Sequence, residues 1–330
     1  MTEKGGVGRF ALDDRVFQLL AGLVEEYSGL RFDVGRRDLF AERIGRRVAA
    51  LGFPGFLDYY YHLRYDPAGR EELQQAVEAL AVNETYFFRE PGPLETLVRT
   101  WIPERHQAPE PFRVWSTACS TGAEPYTLAI VAEEAGLSER VEIWASDIDR
   151  GALLEAQEAV YGEGALRMTP ADKRARWFER TEGGWRLRSP LRSRVRFFWA
   201  NALEPDGAAG EGRWHAILCR NLMIYFAEET IARAVEGFHR ALRPGGVLLL
   251  GLTESLLRFD TPFRVEEVNG WFFYVKDVGT LGRRDGEAGR RPPSHGHRGG
   301  GCHGKEDPRA RGGRLCVRAQ GREPDARGSP

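Results

Sequence analysis

A chain of 330 residues that is 42% hydrophobic and 29% charged has the composition of a soluble globular protein, with length enough for two domains and a tail. Its net charge of −1 conceals an asymmetry: residues 277–330 carry 12 Lys and Arg against 7 Asp and Glu, which leaves residues 1–276 at −6, without the overall charge of a nucleic-acid binder. Apolar runs such as Val247 to Leu250 are far too short for a membrane span, MTEKGGVGRF holds no apolar signal segment, and four cysteines without a CxxC pair indicate neither a disulfide framework nor a zinc site. A cytoplasmic protein without membrane insertion is expected.

Residues 9–90 read as a helical domain. Asp13 and Asp14 mark a helix start, Val16, Leu19, Leu20, Leu23 and Val24 follow at helical spacing, and Gly29 ends the element. The spacing predicts a second helix from Arg36 to Leu51, closed by Gly52, with Phe40, Ile44, Val48 and Leu51 on one face. Arg36, Arg43, Arg46 and Arg47 fall together on the adjoining arc. They form either a solvated face over the core or a surface that docks an acidic protein. On the second reading the stripe is exposed, so reversing Arg43 and Arg47 to Glu leaves the fold intact. Phe56 to Tyr65 and Arg70 to Ala81 are the next two helices.

The segment VNETYFFREP, Val82 to Pro91, sets Asn83, Thr85 and Arg89 among aromatic residues. It is a docked linker, and a linker between domains is also where ligand clefts lie. Then RVWSTACSTGAEPYTLAI, Arg113 to Ile130, reads as a buried strand, a turn of small residues and a helix start. That is the first unit of a doubly wound nucleotide-binding fold. The turn has one glycine, Gly122, where a dinucleotide fingerprint has three, which suits a ligand without phosphates such as S-adenosylmethionine. Glu124 at the helix start repels phosphate and attracts an ammonium group.

A second strand, Val141 to Ser146, ends in Asp147, placed to accept hydrogen bonds from ribose hydroxyls. Gly151 to Tyr161 is the next helix. Residues 162–195 interrupt the alternation with a helix over Met168 to Glu179 and a small hairpin at Gly183 and Gly184. Strands over Arg196 to Ala200, His215 to Cys219 and Val247 to Gly251 follow, with a helix from Glu228 to Leu242. Phe263 to Lys276 is a hairpin turned at Asn269-Gly270. Five alternating strands and a final antiparallel hairpin are the layout of class I methyltransferases. The tail, with 13 Gly and 5 Pro in 54 residues, lacks the composition for a core and is expected to be disordered, so His295, His297, Cys302 and His303 have no scaffold to fix a metal.

In NETYFFRE (83–90), STACSTGAEPYTLA (116–129), ASDID (145–149), CRNLMIYF (219–226) and LRPGGVLLLG (242–251) the chain resembles the CheR-type chemotaxis receptor glutamate O-methyltransferases. The likeness covers about residues 9–276. It implies a helical receptor-docking domain with linker (1–90), an α/β, Rossmann-like methyltransferase domain (91–276) with a small inserted β-subdomain (162–195), and a tail (277–330) outside the likeness. By the resemblance Asn83, Thr85, Arg89, Glu124, Asp147, Asn201, Ala202, Arg220 and Asn221 match the family's S-adenosylmethionine-binding positions. Glu124 then meets the methionyl end, Asp147 the ribose, and Asn201 and Ala202 border the adenine. The implied reaction methylates glutamate side chains in the cytoplasmic helical region of chemoreceptors and leaves S-adenosylhomocysteine. Arg89 or Tyr225 orients the incoming carboxylate, the arginine helix docks the receptor, no metal takes part, and a monomer is expected. Family members that tether to a receptor's C-terminal pentapeptide have a longer Gly-x-Gly loop than TEGGWRLRS offers.

Three rivals share parts of this pattern. A nucleic-acid methyltransferase of the same fold places Asn/Asp-Pro-Pro-aromatic after the fourth strand, where this chain has Arg220-Asn221-Leu222-Met223. A non-catalytic signalling module would have lost the acids at 124 and 147. A dinucleotide dehydrogenase is disfavoured by the single-glycine turn.

Overall fold

The computed structural model describes residues 11–204 and 212–278. The tail from residue 279 onward, with its expected disorder and its His295–His303 cluster, lies outside the described residues. Four helices come first: α1 (Asp14–Ser28), α2 (Arg37–Ala50), α3 (Phe56–Tyr65) and α4 (Gly69–Leu80). The signals read from the sequence act as expected at α1. The Asp13 carboxylate accepts the Val16 N–H at 3.0 Å, satisfying one of the orphan donors of the first turn, and Gly29 ends the helix in the left-handed conformation at φ 78°. Phe40, Ile44 and Val48, spaced by four, put one stripe of α2 into the helical core, where the Phe17 and Phe40 rings meet edge to face at 5.3 Å. Each such side chain contributes about 1.5–3 kcal/mol by leaving water.

A helical segment that has no counterpart in the sequence reading spans residues 92–105: α5 (Gly92–Thr96), a π turn (Leu97–Trp101) and α6 (Ile102–Arg105). Pro93 sits in the first turn of the segment, where its missing N–H is harmless, and Pro103 follows just after the π turn.

The sheet that follows has seven strands: β1 (Phe112–Thr117), β2 (Val141–Asp147), β6 (Val195–Trp199), β7 (Trp214–Cys219), β8 (Leu242–Leu250), β9 (Phe263–Val268) and β10 (Trp271–Lys276). Their spatial order is β6-β2-β1-β7-β8-β10-β9, parallel except for β10, which runs antiparallel to both β8 and β9. Asn269 and Gly270, both at positive φ, make the turn between the last two. Helices α7 (Ala123–Glu134), α8 (Arg150–Glu158) and α11 (Glu228–Ala241) cover its faces. One apolar cluster packs α5–α7 on the sheet, a second packs α11 on the other face, and a third fills the helical domain. Successive strands are added outward from β1 in two opposite senses, β2 and β6 on one side and β7 and β8 on the other, so the crevice at the carboxyl ends of β1 and β7 is the topological switch point.

Three local expectations change. The helix expected to reach Tyr161 stops at Glu158, because Ala159 turns left-handed (φ 52°) and sends β3 (Val160–Tyr161) into a small antiparallel sheet with β5 (Gly184–Leu187) and β4 (Phe178–Thr181). The inserted helix is shorter than Met168–Glu179: it is α9 (Ala171–Trp177), since Phe178 already belongs to β4; a short α10 (Ser189–Arg192) then leads to β6. The fifth strand of the main sheet, β8, starts at Leu242 rather than Val247, with LRPGG held in the strand as an irregularity of the ladder opposite Trp214 and Ala216.

Candidate functional site

The turn after β1 alternates its backbone. Ala118, Ser120 and Gly122 are all left-handed, at φ 54°, 51° and 85°. The sequence shows one glycine, yet the chain makes three left-handed steps. Only Gly122 is also sterically obliged, because a Cβ there would lie 3.0 Å from the Ala156 methyl and 3.2 Å from the Phe197 ring. Of the seven non-glycine residues at positive φ among the described residues, five (Phe88, Glu90, Ala118, Ser120 and Asn221) lie in the linker, this turn and the residues after β7. Each such conformation costs on the order of 1–2 kcal/mol, and strain of this kind persists where surrounding structure enforces it.

The turn is enforced by Asp147. Its Oδ2 accepts the Ser120 N–H at 2.7 Å and its Oδ1 the Asp149 N–H at 2.9 Å. Burial pushes the Asp147 carboxyl up to about 6, with these backbone donors pulling the other way. Asp149 caps α8 through the N–H groups of Gly151 and Ala152, and its second oxygen accepts Asn83 Nδ2 at 2.6 Å. Asn83 therefore ties the linker to the end of β2.

Glu124 is not the bare acid that the sequence suggested. Its Oε2 accepts Arg220 Nη1 at 2.8 Å and its Oε1 the Ser116 hydroxyl at 2.8 Å. Arg220 Nη2 donates to the carbonyls of Arg89 and Glu90, each at 3.0 Å, and to Glu90 Oε2 at 3.2 Å. The Arg220 side chain is 1% exposed, and its Nε is buried without a hydrogen-bond partner. Two carboxylates around one guanidinium leave this end of the site one negative charge in excess. The fixed charge comes from the pair Glu90 and Glu124, not from Glu124 alone.

Asn221 follows in the left-handed conformation, held by Glu254, whose carboxylate accepts the N–H groups of Asn221, Met223 and Gly251 at 2.7–2.8 Å. Gly251 allows this approach, since a Cβ there would meet Glu254 Oε2 at 2.8 Å. Asn201 commits both ends of its side chain: Nδ2 donates to the Tyr27 carbonyl at 2.6 Å and Oδ1 accepts the Leu203 N–H at 3.0 Å.

All nine residues expected to bind cofactor, together with Tyr225, line one cavity of about 330 Å³ at the switch point. That volume is in the range of small-molecule sites. Thr85 and Ala202 lie in its wall beside apolar groups that include Leu30, Ile148, Leu222 and Phe226. Arg31, Arg36 and Arg89 also line it. The Arg36 guanidinium stands 5.8 Å from the Tyr225 ring centroid, and that of Arg89 lies 5.6 Å from the Tyr86 ring.

The four arginines of the second helix do not share one exposed stripe. Arg47 is bound twice by Glu72, at 2.6 and 2.7 Å, and Tyr59 donates to the same carboxylate at 2.6 Å. Arg43 reaches across to the carbonyls of Ala79 and Ala81 at the end of α4. Arg46 pairs with Glu42 on the surface, and Arg36 precedes the helix at the cavity. The expectation that Arg43 and Arg47 are free on the surface therefore fails: a helical wheel shows that side chains share an arc, not what lies beside it. Sequence reasoning also passed over Glu90, Asp149 and Glu254. For the first two the signal was present in NETYFFRE and ASDID; for Glu254, in a loop, there was none.

Comparison with known proteins gives two family models, "CheR methyltransferase, all-alpha domain" over residues 15–81 and "CheR methyltransferase, SAM binding domain" over residues 83–271. Chemotaxis protein methyltransferase 2 of Vibrio cholerae is 37% identical over 255 residues, covering 76% of this chain and 88% of that protein. The chemotaxis protein methyltransferase of Klebsiella aerogenes is 35% identical over 262 residues, covering 77% and 88%. A probable biofilm formation methyltransferase of Pseudomonas aeruginosa is 35% identical over 218 residues, covering 65% of this chain and 51% of its own. Among the described residues no helix is long and apolar enough to cross a membrane.

Proposed function

The chain belongs to the CheR methyltransferase family, and on that premise we propose that it methylates glutamate side chains in the cytoplasmic helical region of chemoreceptors, as a protein-glutamate O-methyltransferase using S-adenosylmethionine. The observation that carries this reading is the convergence of all nine expected residues and Tyr225 on one cavity at the switch point.

The donor set fits the cofactor. Asp147 has lone pairs left to accept from a pair of ribose hydroxyls. The Glu90–Arg220–Glu124 cluster, with its excess negative charge, suits an ammonium, and the buried Arg220 Nε is a donor awaiting an acceptor. Ile148, Ala202 and Leu222 offer apolar surface for a purine, with the Asn201 side chain turned to Tyr27 rather than to the ligand. When bound, S-adenosylmethionine supplies an electrophilic methyl group on a sulfonium.

The protein's own task is positioning. A glutamate carboxylate is already ionised at neutral pH and needs no general base. Arg89 and Tyr225 line the cavity and are assigned to orienting that carboxylate in line with the methyl group, an arrangement worth up to about 7–11 kcal/mol in effective concentration. Receptor docking falls to the two arginines of the stripe without a buried partner, Arg36 and Arg46. Both steer an acidic helix toward the cavity by charge.

The test is transfer of radiolabelled methyl from S-adenosylmethionine to receptor fragments. Base-labile counts on glutamate are expected. Label that resists base, or appears only on nucleic acid, would refute the proposal.

A further inference from the structure

Tyr27 in α1 and Gln74 in α4 do not line the cavity, yet they hold two of its walls. Gln74 is 2% exposed and makes three hydrogen bonds. Its Oε1 accepts the Tyr27 hydroxyl at 2.6 Å, and its Nε2 donates to Glu78 at 2.8 Å and to the Ile148 carbonyl at 2.7 Å. The Tyr27 carbonyl meanwhile accepts Asn201 Nδ2 at 2.6 Å. Ile148 directly follows Asp147, and Asn201 directly precedes Ala202. The amide has one workable orientation, because a flip would set its oxygen against two acceptors. Burial raises the Tyr27 hydroxyl above its ordinary range, so it remains a donor at neutral pH.

We infer that Tyr27 and Gln74 are positioning residues for cofactor binding: through them the helical domain fixes the spacing between the Asp147–Ile148 wall and the Asn201–Ala202 wall. The inference rests on the cavity's reading as the cofactor site. Fixing the Ile148 peptide plane fixes the Asp149 N–H that Asp147 accepts, and with it the free lone pairs of Asp147. The second wall is held by the same tyrosine from its main chain. Losing the relay removes no ligand contact but lets two contact surfaces drift, and binding sites tolerate only about 0.5 Å of such drift. The loss therefore falls on affinity, not on transfer once the cofactor is bound.

Gln74→Met keeps the side-chain length and removes its polar ends, while Tyr27→Phe removes one oxygen atom. In calorimetric titration of the whole chain with S-adenosylhomocysteine, Gln74→Met weakens binding about tenfold and Tyr27→Phe about threefold. The double variant is no weaker than Gln74→Met alone, because the hydroxyl acts through the amide. KM for S-adenosylmethionine rises in step, while kcat at saturating cofactor stays within about twofold. Amide hydrogen exchange at residues 147–149 and 200–203 quickens in the same variants without ligand. Unchanged affinity and exchange in Gln74→Met, or losses that merely track a lowered Tm, overturn the inference. Should Gln74→Met not fold, Tyr27→Phe decides alone by the same two measurements. If the wild-type chain binds no S-adenosylhomocysteine, the functional reading fails, and the exchange comparison still decides whether the pair positions the walls.

Discussion

The carboxyl ends of the parallel strands and the arginine face of α2 are the two regions where the sequence set functional side chains in a row, and they behave in opposite ways. At the strand ends and in the linker beside them, residues up to 138 positions apart, from Asn83 to Asn221, converge on one cavity. On α2 and the residue just before it, four arginines within twelve positions disperse to four different environments. The difference lies in what fixes each side chain's surroundings. A parallel sheet with crossover helices admits few topologies, so the end of each strand has a known neighbour. A helix face acquires its neighbour from packing against another helix, and here α4 brings Glu72 to Arg47 and two carbonyls to Arg43.

The largest effect is expected where the arginine face is buried. Arg47→Glu sets a carboxylate against Glu72, whose side chain is 10% exposed, and leaves Tyr59 and both acids to share no cation. Breaking such a pair costs about 3–5 kcal/mol, measurable as a fall in the urea midpoint. A change below about 1 kcal/mol would restore the picture of a free stripe.

Next in size is Asp147→Ala. It removes a charge-assisted acceptor and orphans the N–H groups of Ser120 and Asp149, so S-adenosylhomocysteine binding should weaken by about 1.5–3 kcal/mol. Calorimetry showing equal affinity would remove Asp147 from the site.

The pH profile sharpens the same point. With its carboxyl at about 6, Asp147 is ionised and competent above that pH, and affinity should fall about tenfold between pH 7 and pH 5. The sign for folding is reversed. An acid whose folded value lies above its unfolded value lowers stability as pH rises through that window. Asp147's own contribution therefore opposes stability over the range where affinity is gained. The wild type minus Asp147→Ala difference, taken for Tm and for binding affinity (1/Kd), should slope in opposite directions with pH; slopes of the same sign would place the titration elsewhere.

Smallest is the effect on the fold of reversing Arg36 and Arg46 to Glu. Stability should change by less than about 1 kcal/mol, while KM for receptor rises about tenfold at low salt and less at high salt. Receptor kinetics identical to wild type at low ionic strength would leave α2 without a docking role.

What the sequence made legible follows the same division. The hairpin at Asn269-Gly270 and the helix caps at Asp13 and Gly29 rest on local chemistry with one outcome. The left-handed steps at Ala118 and Ser120 were hidden because neither residue advertises them; Asp147, 27 residues on from Ser120, enforces one of them. Glu124 looked free because its partner lies 96 positions away. Residues 92–105 were unread because two prolines break the helical pattern that a π turn in fact carries through.

The two outer strands of the main sheet bear on a property of the protein in concentrated solution. A sheet that does not close has two rows of unpaired backbone groups, which invite pairing with another chain. β9 carries Arg264, Glu266 and Glu267, with Arg264 and Arg105 both bridged to Glu266. β6, at the other edge, carries Arg196 held against Glu142 on β2. Both edges are unpaired among the described residues, and an incoming strand would have to desolvate these charges to dock, which guards the sheet against seeding aggregation.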